Sequence, residues 1–508
     1  MGSTQPKTGE QGKETSSAEG PSNFWSDARE YVETLVFVLV LVCLLRAFAV
    51  EAFVIPTGSM ATTLLGVHKR VVSPTTGYPS LINASGEVES GIPVTMGRGQ
   101  NTEEPLDLTN LGRRGGDRVV VAKFLYEGFD DPDRWDVVVF KCPDTQKSHI
   151  NFIKRLVGLP NETVKISYGD LWVRDDSDQG DGRFHIARKP PKVIDAVRRL
   201  VYDNDYPSRA MLETGTAPRW APESTDQWTV ADDGKSFSSS PKRDGWLDYR
   251  HLLPDSTSSD GPAPSLITDF ESYNSNGRQS RPNNDWVGDL MIECSLEVRQ
   301  LEGKVTFELV EAARVYQAVF DLATKKIELT QNGEKLAEAS SPITSTGSWP
   351  IRFANFDDRL TLWVNGSLVF GDGVDVAPLE GDELGPTMAD TTPVRIGSRE
   401  ADVTVSQLKI FRDLYYSQQA AEADYRAPFH SRSPEVTPDS VGYWREALSE
   451  RVPREFSMAD DEFLMFGDNS RASSDSREWF RGHVVPRHLL LGRALVLYWP
   501  AWRWRFVR

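Results

Sequence analysis

Residues 35–45 (LVFVLVLVCLL) form an unbroken apolar run, and with Arg46 and Glu51 as the only later charges the stretch continues to Ile55, 21 residues in all. A helix of that length spans the roughly 30 Å of a bilayer core, so residues 31–55 are predicted to be a transmembrane anchor. A cleavable secretory signal is the other reading, because Ala47-Phe48-Ala49 offers a small-x-small cleavage pattern. The polar lead favours a retained anchor: it exceeds 30 residues and sets Lys7, Lys13 and Arg29 against six acids. That balance also leaves the positive-inside rule without an orientation. Residues 1–30, rich in Gly, Ser, Thr, Lys and Glu, cannot offset the entropy of ordering and read as a disordered tail.

The whole chain, at 508 residues, is too long for one typical core. Its net charge of -17, without any long Lys/Arg block, excludes the basic footprint that nucleic acid requires. Cys43, Cys142 and Cys294 are odd in number and widely spaced, which gives neither a disulfide framework nor a metal-ligand set. The predicted class is mainly β. Short β-branched segments at 118–124, 136–140, 152–157, 163–166 and 171–173 read as an antiparallel β core over 56–187. Residues 188–281 read as an irregular insertion or connection with one short helix over 192–201. Alternation returns over 285–411, with hairpin signals at Asn332-Gly333 and Asn365-Gly366, so 282–425 are predicted to be a β-sandwich of jelly-roll type. Residues 426–508 resume the earlier character, as if the sandwich were inserted into a loop of the first β unit.

Three stretches carry residues fit for chemistry. Directly after the apolar run stands Ile55-Pro56-Thr57-Gly58-Ser59-Met60, in which Gly58 permits close approach of a substrate chain to Ser59. In Ile153-Lys154-Arg155-Leu156-Val157-Gly158 a lysine sits in an otherwise largely apolar strand. A buried lysine loses its proton more easily, and a neutral amine can take the proton of a serine. The third stretch runs from Gly467-Asp468-Asn469-Ser470 to Ser473-Ser474-Asp475-Ser476-Arg477, a polar loop able to orient such an amine. Each stretch alone has a plain alternative: a turn serine, a snorkelling lysine, a solvated loop.

Taken in order, these stretches resemble the bacterial type I signal peptidases, a family of Ser/Lys proteases. The shared boxes are Pro-Thr-Gly-Ser-Met, Gly116 to Val121, Trp-Asp-Val-Val-Val-Phe, Lys-Arg-Leu-Val-Gly-Leu-Pro and Gly-Asp-Asn-Ser, covering roughly a third of the chain. The resemblance implies that Ser59 is the nucleophile and Lys154 the general base. It places Thr57 at the oxyanion hole, Ser473 against the lysine, and Asp475, Arg477 and Asp468 in support, with Met60 near the membrane-facing surface. It also implies a single-pass enzyme of the bacterial cytoplasmic membrane, its catalytic part on the outer face, which cuts signal peptides from preproteins beside the lipid bilayer. No cofactor and no metal are expected.

Two departures stand out. Ala61-Thr62-Thr63-Leu64 lacks the proline that the family carries after its Ser-Met. Ser73-Pro74-Thr75-Thr76-Gly77-Tyr78 resembles a Cys-Pro-x-Cys-Gly zinc knuckle with hydroxyls where thiolates would be needed. The segment 282–425 resembles laminin-G or concanavalin-like jelly rolls through Leu360-Thr361-Leu362-Trp363-Val364-Asn365-Gly366, which implies a glycan or protein ligand. Asp357 and Asp358 read as hairpin-turn residues rather than metal ligands. The alternative function is a membrane-tethered adhesion or scaffold protein that works through the jelly roll, with a decayed protease core.

Overall fold

The sheet that carries the serine and lysine boxes draws its strands from both ends of the chain. Its order runs Arg118–Ala122, Leu490–Trp499, Val137–Lys141, Asn151–Gly158, Glu462–Phe466, Val485–Pro486. Leu490–Trp499 pairs antiparallel with both Arg118–Ala122 and Val137–Lys141, so a strand near the C-terminal end inserts between two strands from the first third of the sequence. Alternation along these strands buries Val119, Val121, Val137, Val139, Ala494 and Leu497 in one core with Ile55, Met60 and Leu64. A smaller sheet, His185–Ile186, Asp170–Asp175, Glu162–Ser167, Arg454–Ser457, packs beside it.

These features belong to a computed structural model that describes residues 24–44, 50–127, 130–144, 148–178, 180–207, 218–224, 226, 228–242, 244–252, 264–276, 285–379, 383–418, 448, 451–479 and 482–508. Most of the predicted polar tail, the Ala47-Phe48-Ala49 pattern and residues 426–447 lie outside the described residues. The chain divides into Met1–Glu51 and Ala52–Arg508.

The predicted continuous anchor over 31–55 is corrected. A helix spans Phe24–Leu44, but Val50–Val54 is a β-strand. Among the described residues no helix is long and apolar enough to cross a membrane. The reason lies in composition: Asp27, Arg29, Glu30 and Glu33 occupy the first half of the helix, where Arg29 and Glu33 pair at 2.6 Å. Only its second half, with Leu35, Phe37, Leu39 and Leu41 exposed, is purely apolar. Val50–Val54 (VEAFV) carries two β-branched residues and an aromatic and is followed by Ile55-Pro56, which suits a short strand.

The sandwich consists of a nine-stranded and a seven-stranded sheet over a shared core that includes Leu296, Phe307, Phe320, Phe353, Leu362 and Ile396. Both Asn-Gly signals form tight turns, with φ of 51° and 82° at Asn332-Gly333 and 51° and 77° at Asn365-Gly366. Asp357 and Asp358 (φ 52° and 53°) form the same kind of two-residue turn between Gly347–Asn355 and Arg359–Val364. Residues 188–281 are not the irregular connection read from the sequence. Arg199–Asp203 and Ser236–Ser238 pair with Val403–Arg412, while Trp220–Pro222 joins Gly245–Tyr249, which pairs with Val394–Arg399. Trp220, Trp228, Phe237 and Tyr249 thereby enter the sandwich core. Strands of two to five residues broken by Pro, Ser and Asp leave too little rhythm to recognise.

Candidate active site

Ser59 lies on the loop that follows Val50–Val54, and the first box of the core sheet clamps this loop at both ends. Asp117 accepts the Ile55 amide through its carbonyl (2.9 Å), donates its own amide to the Leu65 carbonyl (2.8 Å) and takes the Leu65 amide on its carboxylate (2.8 Å). Gly116 must be glycine here, because a Cβ would run into the Ile55 carbonyl oxygen. Arg503 and Arg505 reach back from the C-terminus to the carbonyls of Thr62 and Thr63. Met60, which the resemblance implies near the membrane-facing surface, is not itself exposed. It is fully buried beside Ile55, Leu64 and Val119, and its Sδ lies 3.4 Å from the Asp468 amide nitrogen.

The loop delivers Ser59 Oγ to within 2.7 Å of Lys154 Nζ. Lys154 is 3 % exposed, in the middle of Asn151–Gly158, and its Nζ also lies 3.0 Å from the Ile153 carbonyl. Burial lowers its pKa to about 8, while Asp475 and Asp468 pull in the opposite direction. A neutral amine next to a serine hydroxyl is therefore accessible near neutral pH. A hydroxyl within hydrogen-bond reach of an amine is the geometry that general-base activation of a nucleophile requires.

The polar loop after Phe466 closes over this pair. The Asn469 amide donates to the Ser59 carbonyl (3.0 Å) and Asn469 Nδ2 to the Gly58 carbonyl (2.9 Å). Asp475 and Arg477 form a bidentate ion pair with both side chains fully buried, and Asp475 also accepts the Gly467 amide at 2.9 Å. Burial alone would raise the Asp475 carboxyl, but Arg477 holds it below the usual carboxylate range. Ser473 is buried against Gly467; its hydroxyl faces the Asp475 carboxylate without closing a hydrogen bond among the described residues. Thr57 is exposed two residues before Ser59, and its hydroxyl makes no hydrogen bond among the described residues.

Several residues of this region escaped the sequence reading. Arg155 forms a fully buried bidentate pair with Asp468 at 2.7 and 2.6 Å, and Nη1 donates to the Trp135 carbonyl at 2.7 Å. Lys154 and Arg155, adjacent in a strand, point to opposite sides of the sheet, and two consecutive cations in an apolar strand were the available signal. Asn274 exchanges hydrogen bonds with Asn469 at 2.7 and 2.8 Å, and Tyr273 packs against Gly58 and Ala61. Nothing local marks either residue.

Elsewhere, Ser73 and Thr75 of the knuckle-like stretch both bind the Glu104 carboxylate through their hydroxyls. Asp170, Asp289 and Asp357 bring carboxylate oxygens within 4.8 Å of one another, a spacing that could hold a cation. The Lys189 ammonium already bridges Asp357 (2.5 Å) and Asp413 (2.7 Å) there.

A half-buried serine thus meets a buried lysine on an antiparallel β core. The sequence model of the signal peptidase S26 family matches residues 112–243 and 402–499. Signal peptidase I of Rickettsia rickettsii is 27 % identical over 154 residues, 30 % of this chain and 46 % of that protein. Signal peptidase I of Pseudomonas aeruginosa is 31 % identical over 147 residues, 27 % of this chain and 34 % of that protein. The chain thus spans less than half the length of either relative. Among solved structures, a carbohydrate-binding module of Bacillus subtilis aligns with a TM-score of 0.23 at 14 % identity, over 37 % of this chain and 93 % of that one.

Proposed function

We propose that this protein is a membrane-associated serine endopeptidase that removes N-terminal signal peptides from exported preproteins, with Ser59 as nucleophile and Lys154 as general base. The observation that carries the reading is the 2.7 Å contact between Ser59 Oγ and the buried Lys154 Nζ. In this mechanism neutral Lys154 takes the Ser59 proton as Oγ attacks the scissile carbonyl. The resulting oxyanion accepts hydrogen bonds from the Ser59 amide and the Thr57 hydroxyl, a contribution worth about 100- to 1000-fold per donor. The lysine ammonium then protonates the leaving amine, and an acyl-enzyme remains on Ser59. Lys154, neutral again, takes a proton from water as the hydroxide attacks the acyl-enzyme, and returns it to Ser59 Oγ as the acid product leaves.

Ser473, Asp475, Arg477 and Asp468 hold the loop and the lysine environment in place. The apolar half of Phe24–Leu44 associates the enzyme with the bacterial cytoplasmic membrane, its catalytic part on the outer face. That confines enzyme and uncleaved signal to one bilayer. An extended substrate segment pairs with a strand edge of the core. The sandwich is a jelly roll of the laminin-G type that engages a glycan or a protein. The test is cleavage of a purified preprotein in proteoliposomes by the wild type, Ser59→Ala and Lys154→Met. The reading requires both variants to fall to background, and near wild-type cleavage by either one sinks it.

A further inference from the structure

We propose that Arg199, a residue of the sandwich, is a positioning residue that sets the register between Ser59 and Lys154; the inference rests on the endopeptidase reading above. Arg199 opens the strand Arg199–Asp203, which pairs with Val403–Arg412 in the nine-stranded sheet. Its side chain leaves the sandwich and is 3 % exposed where it ends, between the two loops of the candidate site. Nη2 donates to the Ala61 carbonyl (3.0 Å) and to the Asp468 carbonyl (2.7 Å), and Nη1 donates to Thr62 Oγ1 (3.0 Å). Nε lies 3.5 Å from the Glu271 carboxylate, which balances the buried charge.

These contacts complete a continuous chain of polar links from the base to the nucleophile. Lys154 is followed by Arg155, which grips the Asp468 carboxylate from two sides. The Asp468 carbonyl is held by Arg199, and the same nitrogen holds Ala61, two residues after Ser59. Arg503 and Arg505 pin Thr62 and Thr63, and Asp117 pins Ile55 and Leu65, but none of them touches the Asp468 loop's backbone. Among the described residues Arg199 is the side chain that ties the Ala61 and Asp468 carbonyls to one planar group. A planar fork with several fixed donors suits that task, and an ammonium does not. Asn274 adds a parallel link from the same part of the chain, through Asn469 to the Gly58 carbonyl.

The consequence is that the sandwich takes part in the site instead of hanging from it. A shift of about 1 Å between reacting groups can reduce turnover about 100-fold. Removing the fork should therefore lower kcat about 10- to 100-fold while KM changes little, since Arg199 touches no substrate.

The experiment measures preprotein cleavage by full-length wild type, Arg199→Ala and Arg199→Lys in proteoliposomes, with melting temperatures and with millimolar guanidinium added back. Arg199→Lys keeps the charge beside Glu271 and protects against the case in which the alanine variant fails to fold. The inference expects kcat to fall in both variants at nearly constant KM, with guanidinium restoring a measurable part of it in Arg199→Ala. It is overturned if either variant keeps kcat within about twofold of wild type. Loss of kcat that tracks a lowered melting temperature without guanidinium rescue overturns it equally, because that marks a structural role. Absence of cleavage by the wild type itself would instead overturn the endopeptidase reading.

Discussion

Lys154→Met should make the protein inactive and, near neutral pH, more stable. The folded-state pKa of Lys154, about 8, lies below its ordinary value of 10.5 because burial disfavours the ammonium. The unfolded chain therefore holds this proton more tightly than the folded one. At about 1.4 kcal/mol for each pH unit between the two values, the wild type is less stable by about 3 kcal/mol below pH 8 than it would be with a neutral side chain. Methionine has similar length and no charge, so the variant escapes this deficit. It also loses the contact to Ser59, worth about 1 kcal/mol, leaving a net gain of roughly 2 kcal/mol at pH 7. Between pH 8 and 10.5 the folded lysine is neutral while the unfolded one still holds its proton, so the deficit shrinks as pH rises and the wild type catches up. Denaturant unfolding of both proteins, followed by the fluorescence of the 14 tryptophans at pH 7, 8, 9 and 10, measures the gap. A variant no more stable than wild type at pH 7, or a gap that does not shrink with rising pH, refutes the reasoning.

Three further outcomes follow from the geometry. Gly467→Ala would place a Cβ against Ser473 Oγ and the Ser59 carbonyl oxygen, so cleavage should be lost and the unfolding midpoint should fall by the equivalent of about 1 to 3 kcal/mol. Asp468→Asn strands the fully buried Arg155 guanidinium and should destabilise by about 3 to 5 kcal/mol in the same assay. Burial and the nearby Asp358 raise Glu311 to about 8, so its proton stabilises the fold at low pH and that contribution is lost as pH rises through 8. Glu311→Gln should accordingly stabilise the protein relative to wild type at pH 8, with the gain fading toward pH 4.5, and a pH series of unfolding midpoints reads it.

The local half of the site was legible because its residues sit in short, chemically dense boxes. Thr-Gly-Ser after an apolar run, a lysine inside an apolar strand and Asp-Asn-Ser in a polar loop all announce themselves by type and neighbour. Long-range partners do not: Arg199 meets Ala61 across 138 positions and Asp468 across 269, and nothing near Arg199 marks it. The sandwich was legible where strands were long and joined by Asn-Gly turns, and invisible where Trp220, Phe237 and Tyr249 sit on strands of three to five residues. The anchor was overread because hydropathy summed over 35–55 hides a change of state. The helix ends at Leu44, and Val50–Val54, mostly apolar apart from Glu51, forms a strand.

The central claim is that neutral Lys154 accepts the Ser59 proton, and the pH dependence of kcat/KM for preprotein cleavage tests it most directly. Below about pH 8, the value to which burial lowers Lys154, kcat/KM should rise about tenfold per pH unit and then level off. An inflection near 6.5, the ordinary range of histidine, or a profile flat from pH 6 to 9, would contradict it.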